Sequence, residues 1–216
     1  MVKFLNCFVK ITGWPLFALL HRTKYYYEDK KAQSRRIKGK AIVMCDHHAV
    51  WDFATMMFTF PGRILRCIIA ELMFEKSKLF GWFLKNLGGI RVDRNEQDFT
   101  FVSKSCEILD KGGVVEIYPE ARIPTKDEQT PLPFKPSTVY IALSSGAPVI
   151  PVVTNGKYFG KQRLRVLIGK PMDVREMFDD NLDERQNIEA ITEKLREKII
   201  QLQHELQSKT TKKEKN

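Results

Sequence analysis

Two hydrophobic periods alternate along this chain, and their order predicts its architecture. Residues 41–45, Ala-Ile-Val-Met-Cys, are five small or apolar positions in a row, as expected of a short strand buried on both faces. The polar cluster Asp46-His47-His48 follows, then an apolar, Met-rich run over 51–60 that reads as a helix ended by Pro61-Gly62. Residues 66–70 give a second buried strand. Between 75 and 87, Leu79, Phe80, Phe83, Leu84 and Leu87 recur at steps of three and four, which is helical. Gly88-Gly89 stops that helix and residues 90–94 form a short extended piece. An amphipathic helix over 97–111 closes at Gly112-Gly113, and residues 114–118 form the next strand. The proline-bearing stretch 123–136 reads as a surface loop, 138–145 as a helix, and 147–153 and 163–168 as strands. From 183 to 208, Ile188, Ile191, Leu195, Ile199, Leu202 and Leu206 keep helical spacing, predicting a long amphipathic C-terminal helix. Strands alternating with helices imply an α/β fold: one domain with a mainly parallel central sheet flanked by helices.

Length and charge refine this picture. The 216 residues suffice for one domain with a full core. A formal charge of +10 points to an acidic partner such as anionic lipid, a phosphorylated substrate or nucleic acid. Residues 4–20 are apolar but interrupted by Asn6, Lys10, Thr12, Gly13 and Pro15. The run is shorter than a bilayer span and is followed by no signal-cleavage pattern. His21-Arg22-Thr23-Lys24, three tyrosines and further cations follow to Lys40. Apolar residues, interfacial aromatics and clustered cations predict a peripheral segment, residues 1–37, lying on an anionic membrane surface. Residues 38–208 form the domain proper, and 209–216 a basic disordered tail. Cysteines 7, 45, 67 and 106 show no CxxC spacing, so neither a zinc site nor a disulfide framework is indicated, and a reducing cytoplasmic setting follows.

Three strand ends carry polar clusters: Asp46 to Asp52, Arg91 to Arg94, and Glu120 to Arg122. Ligands of open α/β sheets gather at strand carboxyl ends, so these clusters are expected to share a cleft. His47 and Asp52 are five residues apart, about 500° on a continuous helix, so there their side chains would diverge. They meet only if His47 lies in the turn before the helix and Asp52 in its first turn. The carboxylate then fixes the imidazole tautomer and leaves the other nitrogen as a general base. Guanidinium forks suit phosphate. No nucleophile elbow accompanies the pair, and direct acyl transfer to a substrate hydroxyl needs none. Adjacent side chains diverge, so His47 and His48 do not share an ion, and no metal site is expected. Cys45 and His47 could form a thiolate dyad, but a small buried strand residue is the simpler reading of Cys45.

His47-x-x-x-x-Asp52, Gly89-Ile90-Arg91-Val92-Asp93-Arg94, Tyr118-Pro119-Glu120-Ala121-Arg122 and Val149-Ile150-Pro151-Val152 together resemble the four ordered blocks of the glycerolipid acyltransferase family. The likeness is to its 1-acylglycerol-3-phosphate acyltransferases and covers residues 38–172. It implies a lysophospholipid acceptor, acyl-CoA or acyl-carrier protein as co-substrate, no metal or other cofactor, and a place on the cytoplasmic face of the membrane. It implies that His47 deprotonates the acceptor hydroxyl and Asp52 orients it. Arg94 and Arg122 clamp the acceptor phosphate, Glu120 positions the glycerol, and Pro151 lines the donor or acyl-chain side. Gly89 and Pro119 fall in the same substrate-binding blocks, although Gly89 read alone is a turn residue. The chain departs from the family's pattern in three places. Asp46 and Ala49 stand where Asn and Ser are usual, the third block is one residue shorter with Ala121 for Gly, and Ser137 replaces a Gly. The catalytic pair is untouched, whereas the acceptor pocket is altered. A lyso-aminolipid, another lysophospholipid or a glycolipid is therefore the alternative acceptor. The remote alternative is a basic nucleic-acid-binding module, for which the chain shows no aromatic platform or recognition signature.

Overall fold

The computed structural model describes residues 1–93, 99–159 and 162–214. In chain order the elements are helix α1 (Val2–His21), strands β1 (Lys24–Tyr27) and β2 (Ala41–Cys45), helix α2 (Asp52–Thr59), strand β3 (Leu65–Ala70), helices α3 (Glu71–Glu75) and α4 (Lys78–Leu87), strand β4 (Ile90–Val92), helix α5 (Thr100–Asp110), strand β5 (Val114–Ile117), helix α6 (Ser137–Ser145), strands β6 (Val149–Thr154) and β7 (Arg165–Ile168), and helix α7 (Glu184–Glu214). The strands form one seven-stranded sheet in the order β1-β7-β6-β2-β5-β3-β4. Every pairing is parallel except β6 with β7. As the pattern predicts, this is an α/β domain with a mainly parallel sheet.

β2 sits in the middle and all five of its residues are buried. Strand side chains alternate between faces. Accordingly Ile42 and Met44 join a core with α6 and α7, while Ala41, Val43 and Cys45 join a second core with Met56 of α2. The predicted apolar stripe of α7, from Ile188 to Leu206, is buried throughout. Burial of each such side chain contributes about 1.5–3 kcal/mol. β2, β5 and β6 run parallel as neighbours, so the loops leaving them emerge together on one side of the sheet.

Four sequence expectations are corrected. Residues 24–37 belong to the body of the domain: β1 pairs with β7, from Lys24 opposite Arg165 to Tyr27 opposite Ile168. Arg35 donates to the carbonyls of Thr59 and Phe58, both at 2.8 Å, and stacks over Tyr25. The boundary at residue 37 therefore cuts into the sheet. Second, the N-terminal run is neither short nor broken. α1 is a 20-residue helix that carries Pro15 without interruption, and by length and composition alone it could cross a membrane. One face packs on the domain through Phe17 on Phe58 and Asn6, whose amide donates to the Leu87 carbonyl at 3.2 Å. Phe4, Phe8, Ile11, Leu16 and Leu19 are exposed. Third, the helix expected over 75–87 starts only at Lys78, where the Ser77 hydroxyl caps it by accepting from Phe80 N–H at 3.1 Å, and the short α3 precedes it. Fourth, the predicted disordered tail continues α7 as far as Glu214. Lys209 ties the helix down by donating to the Tyr27 carbonyl at 3.0 Å and pairing with Glu205 at 2.5 Å.

Candidate active site

The loop from β2 into α2 carries the pair that the sequence singles out. His47 lies in the turn and Asp52 opens α2, the one arrangement in which this spacing brings them together. His47 Nδ1 and Asp52 Oδ2 are 2.8 Å apart. The same oxygen accepts the backbone N–H groups of His48 at 2.7 Å and Ala49 at 2.8 Å. The other, Oδ1, accepts the hydroxyl of Tyr158. Asp52 is 1% exposed, yet it is held by four donors and by the positive end of a helix dipole. A carboxylate at this distance makes Nδ1 the donor and leaves Nε2 as the basic nitrogen. Nε2 has no protein partner among the described residues, and the ring is 17% exposed.

The carboxyl end of β5 supports this ring from beneath. Tyr118 stacks on His47 with ring centroids 4.5 Å apart. Its hydroxyl donates to Glu116 Oε1 at 2.5 Å. Glu116 points into the α2-side core beside Cys67, and burial pushes its carboxyl up to about 8. It is thus protonated at neutral pH. Glu120, also buried, accepts the N–H of His47 at 2.9 Å on one oxygen and that of Leu132 at 2.8 Å on the other. Burial raises the Glu120 carboxyl and those two N–H groups pull it back. Its position ties the β2 loop to the loop after β5. Ala121, in place of the usual glycine, has φ 60°, a left-handed conformation that costs an alanine about 1–2 kcal/mol.

A second His–Asp pair stands behind the first. His48 Nε2 is 2.9 Å from Asp46 Oδ2. Asp46 also accepts Thr154 N–H at 3.1 Å and the side-chain amide of Gln203, on α7, at 3.1 Å. Burial alone would lower the His48 pKa, but the charge and hydrogen bond of Asp46, with Asp52 and Glu120 nearby, hold it at about 9. His47 and His48 therefore face different carboxylates.

The other sequence candidates are spread more widely. Arg122 is exposed and forms a two-pronged ion pair with Glu128, at 2.7 and 2.5 Å. Arg91 pairs with Glu71 and Glu75. Arg94 lies outside the described residues. Pro119 is buried, and its carbonyl accepts Lys135 N–H at 2.8 Å. Pro151 sits within β6, opposite Met44. Gly89 follows the C-cap of α4, where a Cβ would come within 3.1 Å of Ile69, Leu84 and Phe74. Its position is explained by close packing. Tyr158 and the Tyr118–Glu116 arm were not singled out from sequence. Tyr118 lies inside a recognised block, but nothing local marks Tyr158, 106 residues from Asp52.

Comparison with known proteins bears on this arrangement. Residues 22–155 match the family described as acyltransferase. A 1-acyl-sn-glycerol-3-phosphate acyltransferase of Bacillus subtilis is 26% identical over 170 residues, 76% of this chain and 82% of that protein. A putative enzyme of the same name from Caenorhabditis elegans is 25% identical over 77% of this chain and 63% of its own. The human 1-acyl-sn-glycerol-3-phosphate acyltransferase beta is 24% identical, and the chain spans about half of its length, 52%. The crystal structure of the 1-acyl-sn-glycerophosphate acyltransferase of Thermotoga maritima superposes with a TM-score of 0.65 at 18% identity, covering 94% of this chain and 81% of that one.

Proposed function

Because the chain belongs to the acyltransferase family, we propose that it moves a fatty acyl group from an acyl thioester to the free hydroxyl of 1-acylglycerol-3-phosphate, giving phosphatidic acid. The observation that carries this is His47, held through Nδ1 by a buried Asp52, with Nε2 free of any protein partner among the described residues and the side chain partly exposed. Nε2 takes the hydroxyl proton as the acceptor oxygen attacks the thioester carbonyl. The tetrahedral species then collapses, the C–S bond breaks, and the thiolate leaves with the proton returned by the imidazolium. Asp52 stabilises that imidazolium. The scheme needs no cofactor beyond its thioester co-substrate, acyl-CoA or acyl-carrier protein.

Arg94 and Arg122 are the proposed clamp for the acceptor phosphate, and Arg122 engages it by exchanging Glu128 for the ligand. Gly89, Pro119, Glu120 and Pro151 act by shaping the walls that hold the acceptor and acyl chain. α1, with its exposed Phe4, Phe8, Ile11 and Leu19, is the proposed docking element on the anionic cytoplasmic face of the membrane. A second acceptor reading has its own support. The shortened third block and the left-handed Ala121 alter the loop beside Glu120, which suits another lysophospholipid, a lyso-aminolipid or a glycolipid. Incubating the protein with radiolabelled palmitoyl-CoA or palmitoyl-carrier protein and a panel of such acceptors separates these readings. His47→Ala is expected to abolish transfer while leaving the circular dichroism spectrum unchanged. Full activity in that variant removes the mechanism.

A further inference from the structure

The second His–Asp pair borders a groove of about 420 Å³ between α7 and the β6–β7 connection, within the usual size of a small-molecule site. Lys157, Arg165 and His204 line it alongside His48. None of its described lining residues is acidic. The groove begins one residue from the catalytic base and is built largely by residues beyond the family match, which ends at 155.

His48 is built to present a donor there. Its Nε2 is engaged by Asp46, and with the pKa held at about 9 the ring is an imidazolium at neutral pH. An imidazolium has a second N–H. That on Nδ1 has no partner among the described residues, and the side chain keeps 24% exposure. The ring rests on Gly156, where a Cβ would come within 3.1–3.3 Å of its atoms. Gly156 also has φ 62°, so the position favours glycine twice over and leaves the ring its seat. Asp46 balances the imidazolium charge, and Lys157 adds a cationic side chain to the groove lining. Arg122, the expected phosphate ligand, is meanwhile paired with Glu128.

We propose that this groove is a second phosphate-binding site, in which His48, Lys157 and His204 hold a phosphate group of one of the two substrates while the neighbouring His47 works on the hydroxyl. Both the thioester donor and the lysolipid acceptor carry phosphate, and the shared chemistry is an oxyanion accepting charge-assisted N–H donors. The proposal rests on the acyl-transfer reading for the identity of those ligands.

Equilibrium binding of the full chain tests it without turnover. Coenzyme A and hexanoyl-glycerol-3-phosphate are titrated by calorimetry, with pantetheine and monohexanoylglycerol as phosphate-free counterparts. The Lys157→Ala/His204→Ala double variant changes only groove-lining side chains, and His48→Gln removes the cationic donor. Loss of a charge-assisted contact is expected to raise Kd at least about tenfold for one phosphorylated ligand in both variants, and not for its phosphate-free counterpart. Weakening of coenzyme A alone assigns the groove to the donor, and weakening of the lysophosphatidate alone assigns it to the acceptor. Undiminished binding of both ligands by the double variant overturns the proposal, as does no binding of either to the wild type. Failure of the acyl-transfer reading shows separately, as absence of product from the wild type on vesicles.

Discussion

Glu116 offers the sharpest test of the electrostatics under the site, through the substitution Glu116→Gln. The carboxyl is fully buried, and its pKa rises from 4.5 to about 8. A folded-state pKa above the unfolded value means that the native chain holds a proton which the unfolded chain has released. Stability is then complete below pH 4.5 and falls as pH rises towards 8. Each unit in that window costs about 1.36 kcal/mol. Between pH 5.5 and 8 the slope flattens near the folded pKa and the loss is about 3 kcal/mol, a large share of a typical 5–15 kcal/mol. Glutamine keeps an oxygen for the Tyr118 hydroxyl but does not titrate. Its amide also introduces an offset, because Glu116 Oε2 has no hydrogen-bond partner and a buried unpaired group costs about 1–3 kcal/mol. That offset does not change with pH, and His48, which titrates in both proteins, cancels in the comparison. Urea unfolding of both proteins at pH 5.5 and at pH 8 is the assay. The difference is expected to move by about 3 kcal/mol in favour of the variant at the higher pH. A difference that stays constant refutes the assignment of a protonated Glu116 beneath Tyr118.

Two further outcomes follow from the same geometry. Tyr158→Phe leaves Asp52 Oδ1 buried without its donor, which is expected to destabilise the fold by about 1–3 kcal/mol. It is also expected to lower kcat about tenfold by loosening the base, with KM little changed; denaturant curves and steady-state kinetics on mixed micelles check both. Replacing Phe8, Ile11 and Leu19, all exposed on α1, with serine removes about 1.5 kcal/mol or more of burial at each position. Co-sedimentation with anionic vesicles is expected to weaken by more than about a hundredfold, and unchanged sedimentation refutes the docking role of that face.

Features written into short stretches of chain were readable from sequence, and features made by distant partners were not. The His47–Asp52 pair was legible because backbone geometry leaves five-residue spacing one way to close across a turn. β2 and α7 were legible because total or one-sided burial imposes an apolar run or a period of 3.6. β1 was missed because Lys-Tyr-Tyr-Tyr at a half-buried sheet edge has the same composition as a membrane-interface segment. Residues 209–214 carry no local helical signal because their helicity depends on Lys209 reaching Tyr27, a contact 182 residues away. Tyr158 and Gln203 escaped for the same reason: each reaches the β2 loop only once β6 and α7 are in place. The departure at Asp46 was visible, but its role required His48 and Thr154 to be placed around it.

The strand order also dictates when this protein can become itself during synthesis. β2 has β5 on one side and β6 on the other, and both come later in the chain. A growing polypeptide must therefore reach Thr154 before its central hydrogen-bonding edges are covered, long after α1 has left the ribosome. Until Ile117 has emerged this fully buried strand is bare on both flanks, and until Thr154 it is bare on one. A fragment ending earlier, though it contains His47 and Asp52, is expected to aggregate and not to form a smaller catalyst.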